Sequence, residues 1–259
     1  MDTMIEVIDK GGIRQLTLTR PGQLNALNTV VLQALTRHVE SAAADGVACI
    51  VIAGAGERAF CAGADLAEID AMTPDEAHAF IRLGQRAMNS VESSPVPVIA
   101  AVDGFALGGG FELMLACHLV IASERSRFGL PEAKLGCIPG FGGTQRLFTA
   151  VGGPAAFHIL LTGEPVDAQR AWDIGLLSVP PVAATALAEH VGELASRLAA
   201  GSRTGTRNIL EAARRATRAA ALEHEAALAA LAIASADGRE GIRAFSERRA
   251  PRFGGSESG

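Results

Sequence analysis

Residues 98–117 carry the pattern that most constrains how this chain folds. An apolar run, Val98-Ile-Ala-Ala-Val102, leads into Asp103-Gly-Phe-Ala-Leu-Gly-Gly-Gly-Phe-Glu112, and the helical apolar spacing of Leu113-Met-Leu-Ala-Cys117 follows. A strand that enters a helix through three consecutive glycines needs backbone that side chains would block, by conformation or by close approach. The bare N–H donors at such a helix start, reinforced by the helix dipole, suit a negative charge developing on a bound oxygen. The same residues also make a tight strand-to-helix turn ending in a surface glutamate. The rest of the chain has to decide between the two.

Upstream, Ile13–Thr19 alternates as a strand, and Arg20-Pro-Gly-Gln-Leu-Asn-Ala-Leu-Asn28 is rich in turn residues. Thr29–Glu40 has helical spacing with Asn28 or Thr29 as its N-cap, and Cys49–Ala53 is a short buried-type strand. Gly54-Ala-Gly-Glu-Arg-Ala59 fits G-x-G-x-x-A after a strand, the spacing of a dinucleotide site. However, Phe60-Cys-Ala-Gly-Ala-Asp65 cuts off the helix that such a site requires, and no acid ends a second strand about 20 residues on. Nicotinamide binding is therefore rejected. Asp65–Ile69 opens a short helix, and Thr73-Pro-Asp-Glu76 opens a longer one that reaches Ser93 before Pro95 and Pro97.

Downstream, His118–Ala122 reads as a strand, and Leu135–Gly143 is a second glycine-rich turn. Thr144–Val151, Pro154–Thr162 and Asp167–Ile174 are helical. Strand then helix, repeated, defines an α/β body with a mostly parallel sheet. Beyond Val179 the strand signal stops. Val182–Ala200, Thr206–Ala220, Leu222–Ala236 and Gly238–Ser246 are alanine-rich helices, and Gly254–Gly259 reads as a disordered end. Gly201–Gly205 divides the body from a helical extension that is too small to stand alone and must pack on the body or on another subunit.

Composition narrows the function. The net charge of −5, without a basic block, gives no support to phosphate-backbone binding, and the chain has no tyrosine and one tryptophan for base stacking. Cys49, Cys61, Cys117 and Cys137 form no C-x-x-C pair, so a reducing cytoplasm is the expected setting, without disulfides or zinc. No secretory signal core stands at the N-terminus, and no apolar run reaches membrane-spanning length. There is no G-x-S-x-G elbow, H-E-x-x-H or P-loop motif. His118 opens an apolar strand and reads as a packed, hydrogen-bonded residue rather than a ligand. Two acids stand out: Glu112, and Glu132 in Leu-Pro-Glu-Ala-Lys. Both follow special backbone and precede apolar residues. Buried together they would divide into acid and base; apart, each is an ordinary helix-start or turn acid.

Several stretches resemble the enoyl-CoA hydratase/isomerase (crotonase) family. They are Asn25-Ala-Leu-Asn28, Phe60-Cys-Ala-Gly-Ala-Asp-Leu66, Gly104-Phe-Ala-Leu-Gly-Gly-Gly-Phe-Glu112 and Phe128-Gly-Leu-Pro-Glu132. Gly136-Cys-Ile-Pro-Gly140, Gly142-Gly-Thr-Gln-Arg146, Leu161-Thr-Gly and Ala168–Leu176 continue the match, and Gly238–Arg248 closes it. The likeness covers nearly the whole chain in one order.

This resemblance implies a crotonase-like spiral of ββα units over residues 1–200, a helical trimerisation region over 201–259, and a homotrimer or dimer of trimers. It implies an acyl-CoA substrate, with Ala26, Ala62, Ala64, Asp65, Leu66, Ala67, Gly109 and Gly140 around it. The N–H groups of Ala64 and Gly109 would form the oxyanion hole, and Glu112 and Glu132 would be the catalytic acids that add water to a trans-2-enoyl-CoA. No metal and no cofactor beyond the CoA of the substrate is expected. Ala67 stands where members often have a lysine, which puts a side-chain contact to the CoA phosphates in doubt unless Arg248 or Arg249 substitutes, across a subunit boundary or within the chain. Cys117-His118 replaces a common Cys-Asp, with a structural consequence expected. Rival reactions on the same scaffold are enoyl-CoA isomerisation and carnitinyl-CoA dehydration, and an RNA-binding relative is the rival of another class. Retention of both acids favours water chemistry.

Overall fold

The computed structural model describes residues 4–213 and 219–252. β1 (Ile5–Lys10) and β2 (Ile13–Leu18) form an antiparallel hairpin. The chain then passes through α1 (Thr29–Ser41) into β3 (Cys49–Gly54). From here one unit repeats: a strand of a large sheet, a short strand of a second sheet, then helix. The first unit is β3, β4 (Ala59–Cys61), α2 (Leu66–Asp70) and α3 (Pro74–Glu92). The second is β5 (Val98–Val102), β6 (Phe105–Leu107) and α4 (Gly109–Ala116). The third is β7 (Leu119–Ala122), β8 (Arg127–Gly129), a 3-10 turn at Pro131–Leu135 and α5 (Gly143–Val151).

α6 (Gly153–Thr162), β9 (Val166–Asp167) and α7 (Ala168–Asp173) follow, then α8 (Leu187–Ala200), α9 (Arg203–Ala213), α10 (Ala219–Ala234) and α11 (Ala236–Ser246). The large sheet runs β1-β2-β3-β5-β7 and the small one β4-β6-β8-β9. Apart from the β1–β2 and β8–β9 pairs, all neighbours are parallel. This is the spiral of ββα units that the resemblance implies.

The large sheet is covered on both faces, which explains its unbroken apolar runs. Ile50, Ile52, Val98, Ala100 and Val102 face the main core. Their neighbours Cys49, Val51 and Ile99 join Ile121 against Leu187, Val191 and Ala195 of α8. Helix starts are set locally. Asn28 caps α1 through Val31 N–H at 2.9 Å. Thr73 and Glu76 form a reciprocal capping box at α3, with Pro74 in the first turn.

The structure departs from the sequence reading in a few places. The second sheet was not anticipated, because strands of two or three residues are too short to show a period. Nor was β1, whose burial is confined to Ile5. Val182 pairs with Ser123 as an isolated bridge, and α8 begins only at Leu187, after a 3-10 turn. α9 begins at Arg203, where Ser202 Oγ accepts from Gly205 N–H at 3.1 Å. The expected Thr206–Ala220 helix crosses residues 214–218, outside the described ones, and Ala219 and Ala220 open α10 instead of ending α9; the expected disordered end at Gly254–Gly259 also lies outside the described residues. α10 lies along α3, and α11 packs on the Pro131–Leu135 turn and on α2. No helix among the described residues is long and apolar enough to cross a membrane.

Candidate active site

The site forms where α4 enters the core. All but one of its residues are buried, Glu112 included at 1% exposure, so the acid is carried into the interior. An unpartnered carboxylate there would be costly. Glu112 Oε1 instead accepts from Phe141 N–H at 2.8 Å and Gly143 N–H at 2.7 Å. Gly143 opens α5, so the carboxylate also sits at the positive end of that helix.

The turn that holds Glu112 is itself held. Arg146, 2% exposed, donates to Phe141 O at 2.8 Å, to Asn89 Oδ1 at 2.7 Å and to Glu92 Oε2. Gln85, equally buried, donates to Gly140 O at 3.0 Å. Phe141 lies against α3 so closely that a Cβ on Gly84 would stand 2.1 Å from its ring. Arg146 belongs to a stretch that carries the resemblance, but neither its role nor that of Gln85 was visible. A lone Arg or Gln on a helix gives no sequence sign of burial.

Glu132 lies in the Pro131–Leu135 turn, with its Oε2 shut off from solvent. Its Oε1 stands 3.1 Å from where a Cβ on Gly108 would be. Gly108 adopts φ 51° and ψ −128°, a conformation for glycine alone, and its C=O accepts from Glu112 N–H at 3.0 Å. The Glu132 carboxylate thus stands against the glycine one helical turn before Glu112, 20 residues away in sequence.

The second loop brought here is Cys61–Leu66. The Ala64–Leu27 bridge uses Gly63 O, Asp65 N–H and both backbone groups of Leu27, and leaves Ala64 N–H outside the pairing. A Cβ on Gly109 would lie 3.3 Å from Ala64 N, and one on Gly63 would lie 3.5 Å from Gly109 N. Gly109 is the first residue of α4, whose N–H has no intrahelical acceptor. Two N–H groups from separate loops therefore occupy the same neighbourhood, beside Glu112 and Glu132.

Ala26, Ala62, Ala64, Asp65, Leu66 and Ala67 form one surface. Ala62 N–H donates to Leu24 O at 3.0 Å, and Asp65 caps α2 through Ala67 N–H at 3.2 Å. Arg20 ties the two segments, donating to Ala26 O at 2.7 Å and pairing with Asp65 at 2.8 Å. Buried Asn25, at φ 58°, fixes the turn through Arg20 N–H, Ala55 O and Ala59 O. Gly140 stands on the other side of the site, between Ile81 of α3 and Ala229 of α10. Arg249 is engaged by Glu240 and Glu247.

Thiol chemistry has no purchase here. Burial pushes the Cys61 thiol up to about 12, and burial with the Glu132 charge raises Cys137 to about 11. Among the described residues no group of His, Cys, Asp and Glu is arranged to hold a metal. Gly54–Ala59 leads into β4 rather than into a helix, so it is not a dinucleotide turn. His118 is packed: its Nδ1 accepts from Val98 N–H at 2.9 Å, and Nε2 meets Glu92 O at 3.2 Å.

A large and a small, mostly parallel sheet wound as a spiral of ββα units is the crotonase architecture, and the sequence agrees. Residues 9–256 match the enoyl-CoA hydratase/isomerase family, and the chain belongs to it. It is 39% identical to a probable enoyl-CoA hydratase of Bacillus subtilis (strain 168), covering 93% of this chain and 94% of that protein. It is 40% identical to the 2,3-dehydroadipyl-CoA hydratase of Escherichia coli (strain K12), over 93% and 94% respectively. The crystal structure of an enoyl-CoA hydratase from Mycobacterium avium subsp. paratuberculosis K-10 superposes with a TM-score of 0.87, at 30% identity and 97% and 98% coverage.

Proposed function

We propose that this protein is an enoyl-CoA hydratase that adds water across the C2=C3 bond of trans-2-enoyl-CoA thioesters in fatty-acid or related acyl-CoA metabolism. The placing of the Glu132 carboxylate against Gly108, one turn before the buried Glu112 and beside the Ala64 and Gly109 N–H groups, carries this reading. The thioester oxygen sits between the two N–H groups, which stabilise the negative charge it gains as C3 is attacked. Glu112 takes a proton from water, and the oxygen bonds to C3. Glu132 gives a proton to C2 as the enolate collapses. The proton left on Glu112 returns to Glu132 through solvent before the next turnover. Because the two acids share one water, their titrations belong to the pair.

The mechanism requires neither metal nor redox cofactor: the N–H groups polarise the carbonyl, the acids move the protons, and CoA arrives with the substrate. Ala26, Ala62, Asp65, Leu66 and Ala67 line the CoA side and Gly140 the water side. Residues 1–200 form the catalytic body, and 201–259 the helical region that joins three chains, singly or as a dimer of trimers. Phe157 and Leu161, one turn apart on α6 and 53% and 73% exposed, support assembly. The four free cysteines fit a cytoplasmic enzyme.

Purified protein with crotonyl-CoA tests the function: 3-hydroxybutyryl-CoA is the expected product. Failure to form it, or conversion of 3-enoyl-CoA alone, would overturn the reading. Light scattering reads the assembly, with three or six chains expected.

A further inference from the structure

Outside the paired acids, α2, the start of α3, the end of α10 and α11 enclose a cavity of about 370 Å³. Its walls include Met72, Ala77, Ile233 and Ile242, and Arg239 and Arg243 of α11 line it as well. Ala77 is one helical turn before Ile81, and Ile233 one turn after Ala229; Ile81 and Ala229 are the side chains that flank Gly140. The cavity therefore lies behind the Ile81 and Ala229 wall of the site, about one helical pitch (~5 Å) farther along α3 and α10.

The two arginines are the unusual part of this lining. Arg249, on the same C-terminal segment, is neutralised by Glu240 and Glu247. Among the described residues no carboxylate forms an ion pair with Arg239 or Arg243. Opposing them, Asp70 is the one acid in the lining among the described residues, and Glu240 feels the Arg243 charge. Glu76, near the cavity at the start of α3, is committed to the Thr73 cap. Two exposed arginines beside a cavity with apolar walls match a ligand that is apolar along its length and anionic at its tip.

Resting on the hydratase reading, the geometry points to an acyl-CoA whose chain ends in a carboxylate, with Arg239 and Arg243 receiving that carboxylate as specificity-determining residues. A CoA phosphate is the other anion the arginines would take, but it has no use for the Met72, Ala77, Ile233 and Ile242 walls.

Calorimetry with hexanoyl-CoA and adipyl-CoA, which share CoA and chain length and differ in the end group, is the direct test. Wild-type protein is expected to bind adipyl-CoA more tightly, on the order of tenfold, as charge-assisted hydrogen bonds to a carboxylate allow. Arg243→Gln and Arg239→Gln should each lower that ratio, and Asp70→Asn should raise it. Arg197→Gln, the same charge change at an exposed position of α8, should leave it unchanged. Equal or weaker binding of adipyl-CoA by wild type overturns the inference. So does a loss that falls equally on both ligands in the arginine variants, which would assign the arginines to the CoA phosphates. Binding is read without turnover, so failure to hydrate crotonyl-CoA would sink the hydratase reading while the adipyl-to-hexanoyl ratio still decides this one.

Discussion

Gly143 N–H meets Glu112 Oε1 at 2.7 Å from the first residue of α5. A helix start thus holds in place the acid to which we assign water activation. Glu112→Gln keeps an oxygen to accept from Gly143 and Phe141, so the fold should survive while proton transfer does not. Glu132→Gln removes the proton donor in the same way. Each is expected to lower kcat for crotonyl-CoA hydration by about 10²–10⁴, the usual worth of a general acid or base. Loss of enoyl-thioester absorbance measures it, and full activity in either variant would refute the mechanism.

Gly108→Ala tests the backbone beneath the pair. A methyl group there faces a glycine-only φ/ψ and stands 3.1 Å from Glu132 Oε1. Strain of this kind costs about 1–3 kcal/mol. A lower thermal midpoint is expected, together with a fall in kcat larger than any change in KM, because Glu132 must move.

Arg146→Met is expected to destabilise the protein by about 2–4 kcal/mol, since it strips a buried cation from Glu92, Asn89 and Phe141 O. As a positioning residue, Arg146 acts through the Phe141 turn and Glu112. At a temperature where the variant is fully folded, kcat should still be reduced while KM for crotonyl-CoA stays near wild type. A change in the melting transition alone would limit Arg146 to a structural role.

Asp103 ties the start of the glycine stretch to the loop after β7. Burial favours its neutral form, but the Arg125 guanidinium and the Ser123 hydroxyl outweigh that and hold the carboxyl below the ordinary 3.8. A carboxyl held low in the folded state stabilises the protein above its unfolded-state value and loses that effect as pH falls through its folded-state value. Asp103→Asn should therefore cost stability near pH 7, and the gap to wild type should shrink below pH 3.8. Urea midpoints at the two ends of that range measure it.

How much of this was legible in sequence follows from element length and from distance along the chain. Cys49–Ala53 and Val98–Val102 were readable because strands buried on both faces are continuously apolar. The second sheet was not, since Ala59–Cys61 or Phe105–Leu107 cannot display an alternation. Glu112 and Glu132 were singled out, but spacing alone could not place them in one region; that required knowing that the Pro131–Leu135 turn comes back over Gly108, one turn before Glu112. His118 was read as packed, and its two backbone partners explain why a ring suits the junction of α3 and β5. Arg20, Gln85 and Arg146 went unassigned because nothing local marks a polar side chain that will be sealed inside.

The placement of α10 has a consequence during synthesis. Glu112, Glu132 and both loop N–H groups have left the ribosome before Ala219, yet Gly140 gains its Ala229 neighbour only when α10 docks on α3. A nascent chain therefore carries the groups to which we assign the reaction with one wall beside Gly140 missing. The Ala229 side of Gly140 is closed only by this later helix, so products truncated before α10 would hold these groups without that enclosure.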